Sequence, residues 1–145
     1  MKHILLAEDN VGDVMLVQEA LAAHHVENTL HVVTDGQQAL DFVARLGEAQ
    51  NRPYPDLVLL DMNLPKADGA TVLAAFREHK DCTSTPVIIV SSSDSPKDQS
   101  RVAALGVNHY FRKPPDFDEF MKLGSVVKEV LERGAADAKL RKCRD

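Results

Sequence analysis

Leu57-Val58-Leu59-Leu60-Asp61 and, further along, Val87-Ile88-Ile89-Val90-Ser91 decide the fold. Each sets four apolar residues in succession without polar alternation, as expected of a central parallel strand covered on both faces, and each ends on a polar group. Three more runs of strand length, Ile4 to Ala7, Leu30 to Val33 and Val107 to Phe111, flank them. Stretches of helical period lie between. Val14, Val17, Ala20 and Leu21 mark the first, and Ala39, Leu40, Phe42, Val43 and Leu46 the second, entered at Asp35-Gly36 and stopped at Gly47. Ala70 to His79 and Asp98 to Leu105 give the third and fourth, with Gly106 as a stop, and Phe117, Phe120, Leu123, Val127, Val130 and Leu131 the fifth. Such alternation predicts βα units joined by right-handed crossovers. Five units cannot close an eight-stranded barrel, so the expected class is α/β, an open, doubly wound, five-stranded parallel sheet with five helices. Residues 48 to 55, Glu-Ala-Gln-Asn-Arg-Pro-Tyr-Pro, read as a long loop before the third strand.

The composition agrees with one globular domain. The 145 residues are 44% hydrophobic and 27% charged, which removes support for disordered, collagen-like or coiled-coil readings. A net charge of -5 argues against nucleic acid or an anionic membrane surface as partner. The charge is uneven: residues 133–145 carry five basic and two acidic side chains, while twelve basic and twenty acidic fall in the remainder. This sets an acidic body, residues 1–132, apart from a short basic tail, residues 133–145. Cys82 and Cys143 stand far apart and signal neither a zinc site nor a disulfide framework. The apolar start Ile4 to Ala7 is too short for a signal peptide and no run approaches a membrane span, so a cytoplasmic location is expected.

In an open α/β sheet, ligands gather beyond the carboxyl ends of the strands where the strand order reverses. For the order 2-1-3-4-5 that point lies between strands 1 and 3. Strand 1 runs into Glu8-Asp9-Asn10 and strand 3 into Asp61-Met62-Asn63, so three carboxylates crowd together. Their repulsion is relieved by protons or a cation, and oxygen ligands without histidine or cysteine favour a hard divalent ion. Mg²⁺ fits best, since one or two carboxylates, waters and a phosphate oxygen complete its octahedron. Strand 4 adds the hydroxyls Ser91-Ser92-Ser93, and strand 5 adds Lys113, a point charge suited to a phosphoryl oxygen. Each feature alone has a local role: Glu8-Asp9-Asn10 as a turn and N-cap, Asp61 as a loop carboxylate before Asp68-Gly69, the serines as caps. Convergence of four strand ends is what points to magnesium and phosphate.

With these segments in view, the chain resembles the receiver domain of two-component response regulators, a flavodoxin-like fold. The resemblance rests on Ile4-Leu5-Leu6-Ala7-Glu8-Asp9-Asn10, Leu59 to Gly69, Pro86 to Ser91 and Tyr110-Phe111-Arg112-Lys113-Pro114, and covers residues 2 to about 132. It implies that Asp61 is the phosphoacceptor for a sensor histidine kinase, and that Glu8, Asp9, Asp61 and the backbone carbonyl of Asn63 surround Mg²⁺. It implies that Lys113 and Ser91 hold the phosphoryl group and that Tyr110 is a switch aromatic coupled to Ser91. The Lys113-Pro114 peptide is expected to be cis by the same likeness.

Asp9 to Asp13, Val17 to Leu21, the Asn63-Leu64-Pro65-Lys66 stretch and the long loop are similar to single-domain regulators serving phytochrome-type kinases. The resemblance further implies a homodimer through the fourth helix, fifth strand, fifth helix and tail. The expected function is that of a stand-alone phosphoacceptor, not an enzyme, signalling by conformational change to a protein partner. Two alternatives stand beside it. A Mg-dependent phosphohydrolase with an aspartyl nucleophile is disfavoured by Asn63, where a general acid belongs. A pseudo-receiver that is never phosphorylated is disfavoured by Glu8, Asp9, Asp61, Ser91 and Lys113 occurring together.

Overall fold

A computed structural model of the chain describes residues 1–47 and 54–141, with side chains as far as Arg133. Most of the long loop and Cys143 lie outside the described residues. The elements follow in the order β1 (Lys2–Ala7), α1 (Val11–Ala23), β2 (Asn28–Val33), α2 (Gly36–Ala44), β3 (Leu57–Leu60) and α3 (Gly69–Glu78). Then come β4 (Val87–Ser91), α4 (Pro96–Leu105), β5 (His109–Arg112), α5 (Phe117–Met121) and α6 (Leu123–Arg141). All strand pairs are parallel and the sheet order is β2-β1-β3-β4-β5, the doubly wound topology that the alternating pattern predicts.

The uninterrupted apolar runs occupy the middle of the sheet. Every residue of β3 and β4 is buried, whereas the edge strands β2 and β5 are only partly covered. Alternation of side chains along each strand divides the interior in two. Leu5, Ala7, Val58, Leu60, Val87 and Ile89 face a layer with Phe42, Leu73, Phe76 and Val102 from α2, α3 and α4. Ile4, Leu6, Leu57, Leu59, Ile88 and Val90 face the other, with Val17, Leu21, Phe120, Leu123 and Val127 from α1, α5 and α6.

Each of the first five helices begins at a side-chain cap. Asn10, Asp35, Asp68, Ser95 and Asp116 accept from the backbone N–H three residues on, an arrangement that contributes about 1 kcal/mol at each helix start. Lys122 keeps helical backbone angles between α5 and α6, and its carbonyl accepts from Val126 N at 3.2 Å. The two pieces therefore form one fifth helical stretch with a joint. That stretch runs through residue 133 to Arg141 without a break.

Some boundaries differ from the sequence expectation. The fourth helix starts at Pro96 rather than Asp98, because Ser95 caps it and proline fits the first helical position. The fifth strand starts at His109 rather than Val107, since the Asn108 side chain takes the Val87 N–H at 2.9 Å before the ladder begins. The second helix closes at Ala44, and Gly47 lies beyond it with φ of 83°.

Candidate functional site

The carboxyl ends of β1, β3 and β4 and the residue following β5 meet at one sheet edge. Asp61 N donates to Ala7 O at 3.1 Å and Lys113 N to Ser91 O at 2.8 Å, so the ladder continues one step past each strand. This step brings Glu8, Asp61 and Lys113 onto neighbouring positions. Glu8 and Asp61 are buried, at 1% and 5% exposure, while Asp9 stands in solvent. One carboxylate oxygen from each of Glu8, Asp9 and Asp61 falls within 4.8 Å of the others, and no second such cluster of acidic, histidine or cysteine side chains occurs among the described residues.

Lys113 closes this cluster from the β5 side. Its Nζ lies 2.8 Å from Glu8 Oε1 and 3.0 Å from Asp61 Oδ2. Burial alone would lower the pKa of the ammonium. Contacts with Asp13 and Glu8 and the charge of Asp61 outweigh it, so the group is held above its ordinary value and stays charged. Glu8 behaves oppositely. Burial foremost, with the charge of Asp61, pushes its carboxyl up to about 7 against the pull of Lys113 and the Asn10 N–H.

A divalent cation fits what these residues leave unfinished. Glu8 Oε1 is buried against Lys113 Nζ at 2.8 Å. One ammonium faces three clustered carboxylates, so the cluster keeps a net negative charge that a bound cation would offset. Three carboxylates and no nitrogen or sulfur donor make the set one for a hard ion.

The other expected residues are placed as follows. The Asn63 N–H donates to Asp61 Oδ1 at 3.2 Å, and its side chain is exposed. Ser91 is fully buried as the last residue of β4, not beyond it, and its Oγ accepts from Ser93 N at 3.2 Å. Tyr110 packs against the layer of α2, α3 and α4, and its hydroxyl donates to Ser93 O at 2.9 Å. Ser91 and Tyr110 thus both attach to Ser93. The Lys113-Pro114 peptide is trans, contrary to the cis expectation, because no cis bond occurs among the described residues. The backbone bond from Lys113 to Ser91 already fixes the strand end that aims the ammonium inward.

The segment after Asp61 is pinned at both ends by glycine. A Cβ on Gly69 would overlap the Asp61 carbonyl, and one on Gly36 would overlap the Ala67 carbonyl. Gly36 N instead donates to Pro65 O at 2.9 Å, which ties the segment to the start of α2. One residue of the site was not singled out from sequence as a contact. Asp13 on α1 reaches Lys113 Nζ at 2.8 Å. The signal for it is its place one helical turn after Asp9, in the first turn of α1, where side chains lean back toward the strand end.

Comparison with known proteins gives a consistent set of likenesses. The family described as "Response regulator receiver domain" matches residues 4–124. "Response regulator Rcp1" of Synechocystis sp. is 38% identical over 122 residues, covering 84% of this chain and 83% of that protein. Among solved structures, the "Phosphorylated Cyanobacterial Phytochrome Response Regulator RcpA" superposes with a TM-score of 0.81 at 36% identity, over 90% of this chain and 94% of that one. The "Mn(2+)-bound form of response regulator Rcp1" gives 0.79 at 36% identity, over 89% and 93%.

Proposed function

This chain belongs to the response regulator receiver domain family, and on that premise we propose that Asp61 is its phosphoacceptor, with Glu8, Asp9, Asp61 and the Asn63 backbone carbonyl holding Mg²⁺. The family role is that of phosphoacceptor in two-component signalling, the phosphoryl group coming from a histidine kinase. In the proposed step an Asp61 carboxylate oxygen forms a bond to phosphorus while the phosphorus–nitrogen bond of a phosphohistidine breaks. The imidazole leaves with the electron pair and takes a proton from water. A bound Mg²⁺ supplies charge neutralisation on the phosphoryl oxygens. Lys113 supplies the second positive charge, and Ser91 offers its hydroxyl to a phosphoryl oxygen. Departure of Ser91 from its contact with Ser93 N leaves Tyr110 room to turn inward, which biases the face of α4, β5 and α5.

The observation that carries this reading is the Lys113 ammonium 3.0 Å from Asp61, at the edge of a cluster that brings Glu8, Asp9 and Asp61 within 4.8 Å of one another. The likeness to RcpA and Rcp1 supports a phytochrome-type kinase as donor and a divalent-metal requirement. A receiver over residues 1–132 with residues 133–145 as a basic tail, a homodimer through α4, β5, α5 and the tail, a cytoplasmic location and no nucleic-acid partner complete the proposal. No helix of the described residues is long and apolar enough to cross a membrane. Its output is a change of surface rather than catalytic turnover of a small substrate.

The test is direct. Incubation with Mg²⁺ and acetyl phosphate is expected to add one phosphoryl mass to the wild type and none to Asp61→Asn. Absence of the adduct in wild type overturns the assignment in favour of a pseudo-receiver, and steady release of phosphate without an adduct points to a phosphohydrolase.

A further inference from the structure

Lys113 is met by one more carboxylate than the cation cluster contains. Its Nζ lies 2.8 Å from Glu8 Oε1, 2.8 Å from Asp13 Oδ2 and 3.0 Å from Asp61 Oδ2. An ammonium carries three N–H donors, so three acceptors surround a group with no capacity to spare. All three contacts are ion pairs at hydrogen-bond distance. Asp13 therefore holds the ammonium as firmly as the candidate phosphoacceptor does.

Asp13 differs from the other two in what it faces. Glu8 and Asp61 belong to the cation cluster and Asp13 does not. Its carboxylate is also a quarter exposed, against 7% for Asp61 and 1% for Glu8. A cation arriving at the cluster takes up charge from Glu8 and Asp61. A phosphoryl group on Asp61 carries that residue's charge outward onto its own oxygens. Neither event removes the negative charge of Asp13, which continues to draw the ammonium and to repel an incoming phosphate.

We infer that Asp13 is a positioning residue that competes with the phosphoryl group for Lys113, and so sets how readily the site takes up phosphate. This rests on the phosphoacceptor reading of Asp61. A purely structural role is also available, because an acidic side chain in the first turn of α1 favours the helix dipole. That role changes helix stability and leaves the rate of phosphoryl uptake alone, so the two are separable.

The experiment compares wild type, Asp13→Asn, Asp13→Ser and Asp13→Glu with acetyl phosphate at saturating Mg²⁺, following phosphoprotein by intact mass. Calorimetry with Mg²⁺ alone reads the cation site independently. The Asn and Ser variants are expected to gain phosphate about two- to fivefold faster, the scale of a partly exposed charge contact. Their Mg²⁺ affinity is expected to stay within about twofold, and the rate advantage to shrink in about 0.5 M salt, where screening is short-ranged. Asp13→Glu keeps the charge and returns the rate toward wild type. Neutral variants no faster than a phosphorylated wild type overturn the inference and leave Asp61 as phosphoacceptor. A wild type that takes no phosphate overturns both.

Discussion

Glu8 is buried more deeply than any other carboxylate of the site, and its chemistry follows from that. With its carboxyl raised from 4.5 to about 7, the folded protein without cation binds a proton that the unfolded chain has already lost. Stability of the metal-free protein therefore falls as pH rises from the unfolded value through about 7. A cation competes for the same oxygen. Mg²⁺ affinity measured by calorimetry should consequently drop as pH is lowered through about 7, with proton release on binding in that range. Affinity independent of pH between 6 and 8, roughly one unit either side of that value, contradicts a role for Glu8 in the cation site.

How far such residues are legible depends on where they lie. Glu8, Asp9, Asp61 and Lys113 follow directly after strands, and topology alone brings strand ends together, so their meeting is written in the order of the runs. Asp13 sits inside a helix whose direction and rotation against the sheet decide what it meets. Spacing from Asp9 puts it on the right turn, but packing of α1 against α5 and α6 settles the contact. Serine interrupts the apolar run, so the pattern puts Ser91 past its strand. Its pairing with Arg112 extends the ladder one residue further.

At the scale of the element, one side chain ties the end of α3 to the end of α4. Arg77 near the end of α3 donates to the carbonyls of Leu105 and Gly106 at the end of α4, including a 2.6 Å bond from Nη2, and to Thr85 O at 2.8 Å before β4. These acceptors include carbonyls that a helix end leaves without partners. Arg77→Ala is expected to lower unfolding free energy by about 1.5 to 3 kcal/mol, as for loss of hydrogen bonds from a charged donor. Arg77→Lys should recover only part, because an ammonium cannot reproduce the forked geometry. Urea unfolding of the three proteins reads the difference. A loss under about 0.5 kcal/mol for the Ala variant means the carbonyls are satisfied by water instead.

Helix starts were legible wherever a capping side chain preceded an apolar period, as at Asn10 and Asp35. The start of α4 lies two residues before the one the pattern indicates, because Ser95-Pro96 looks like loop chemistry beside Ser91-Ser92-Ser93. Proline at the first turn is a helix signal only once its place is known. The strut made by Arg77 left no trace in the pattern, since its partners are backbone carbonyls and any sequence supplies those.

Across the whole molecule, the topology was legible and the detail of the surface around Tyr110 was not. Five strands alternating with helices and right-handed crossovers leave few arrangements, and the fully apolar runs then take the centre. The orientation of Tyr110, by contrast, depends on the turn through Ser93. In that turn the Ser93 hydroxyl donates to Asp98 at 2.8 Å, a contact between residues of no fixed spacing pattern.

The division of the interior by the sheet has a further consequence for how this protein tolerates change. Ile88 and Ile89 are adjacent in the chain, yet they belong to opposite halves of the core. Ile88→Val and Ile89→Val should each cost about 0.5 to 1.5 kcal/mol. Their double variant should lose the sum within about 0.5 kcal/mol despite the covalent neighbourhood. A coupling above 1 kcal/mol, roughly twice that tolerance, indicates that the sheet passes strain from one side to the other. Where the sum holds, the sheet insulates. Substitutions that adapt the α1, α5 and α6 side to a new partner can then accumulate without retuning the α2, α3 and α4 side, and the two faces of the protein are free to diverge at separate rates.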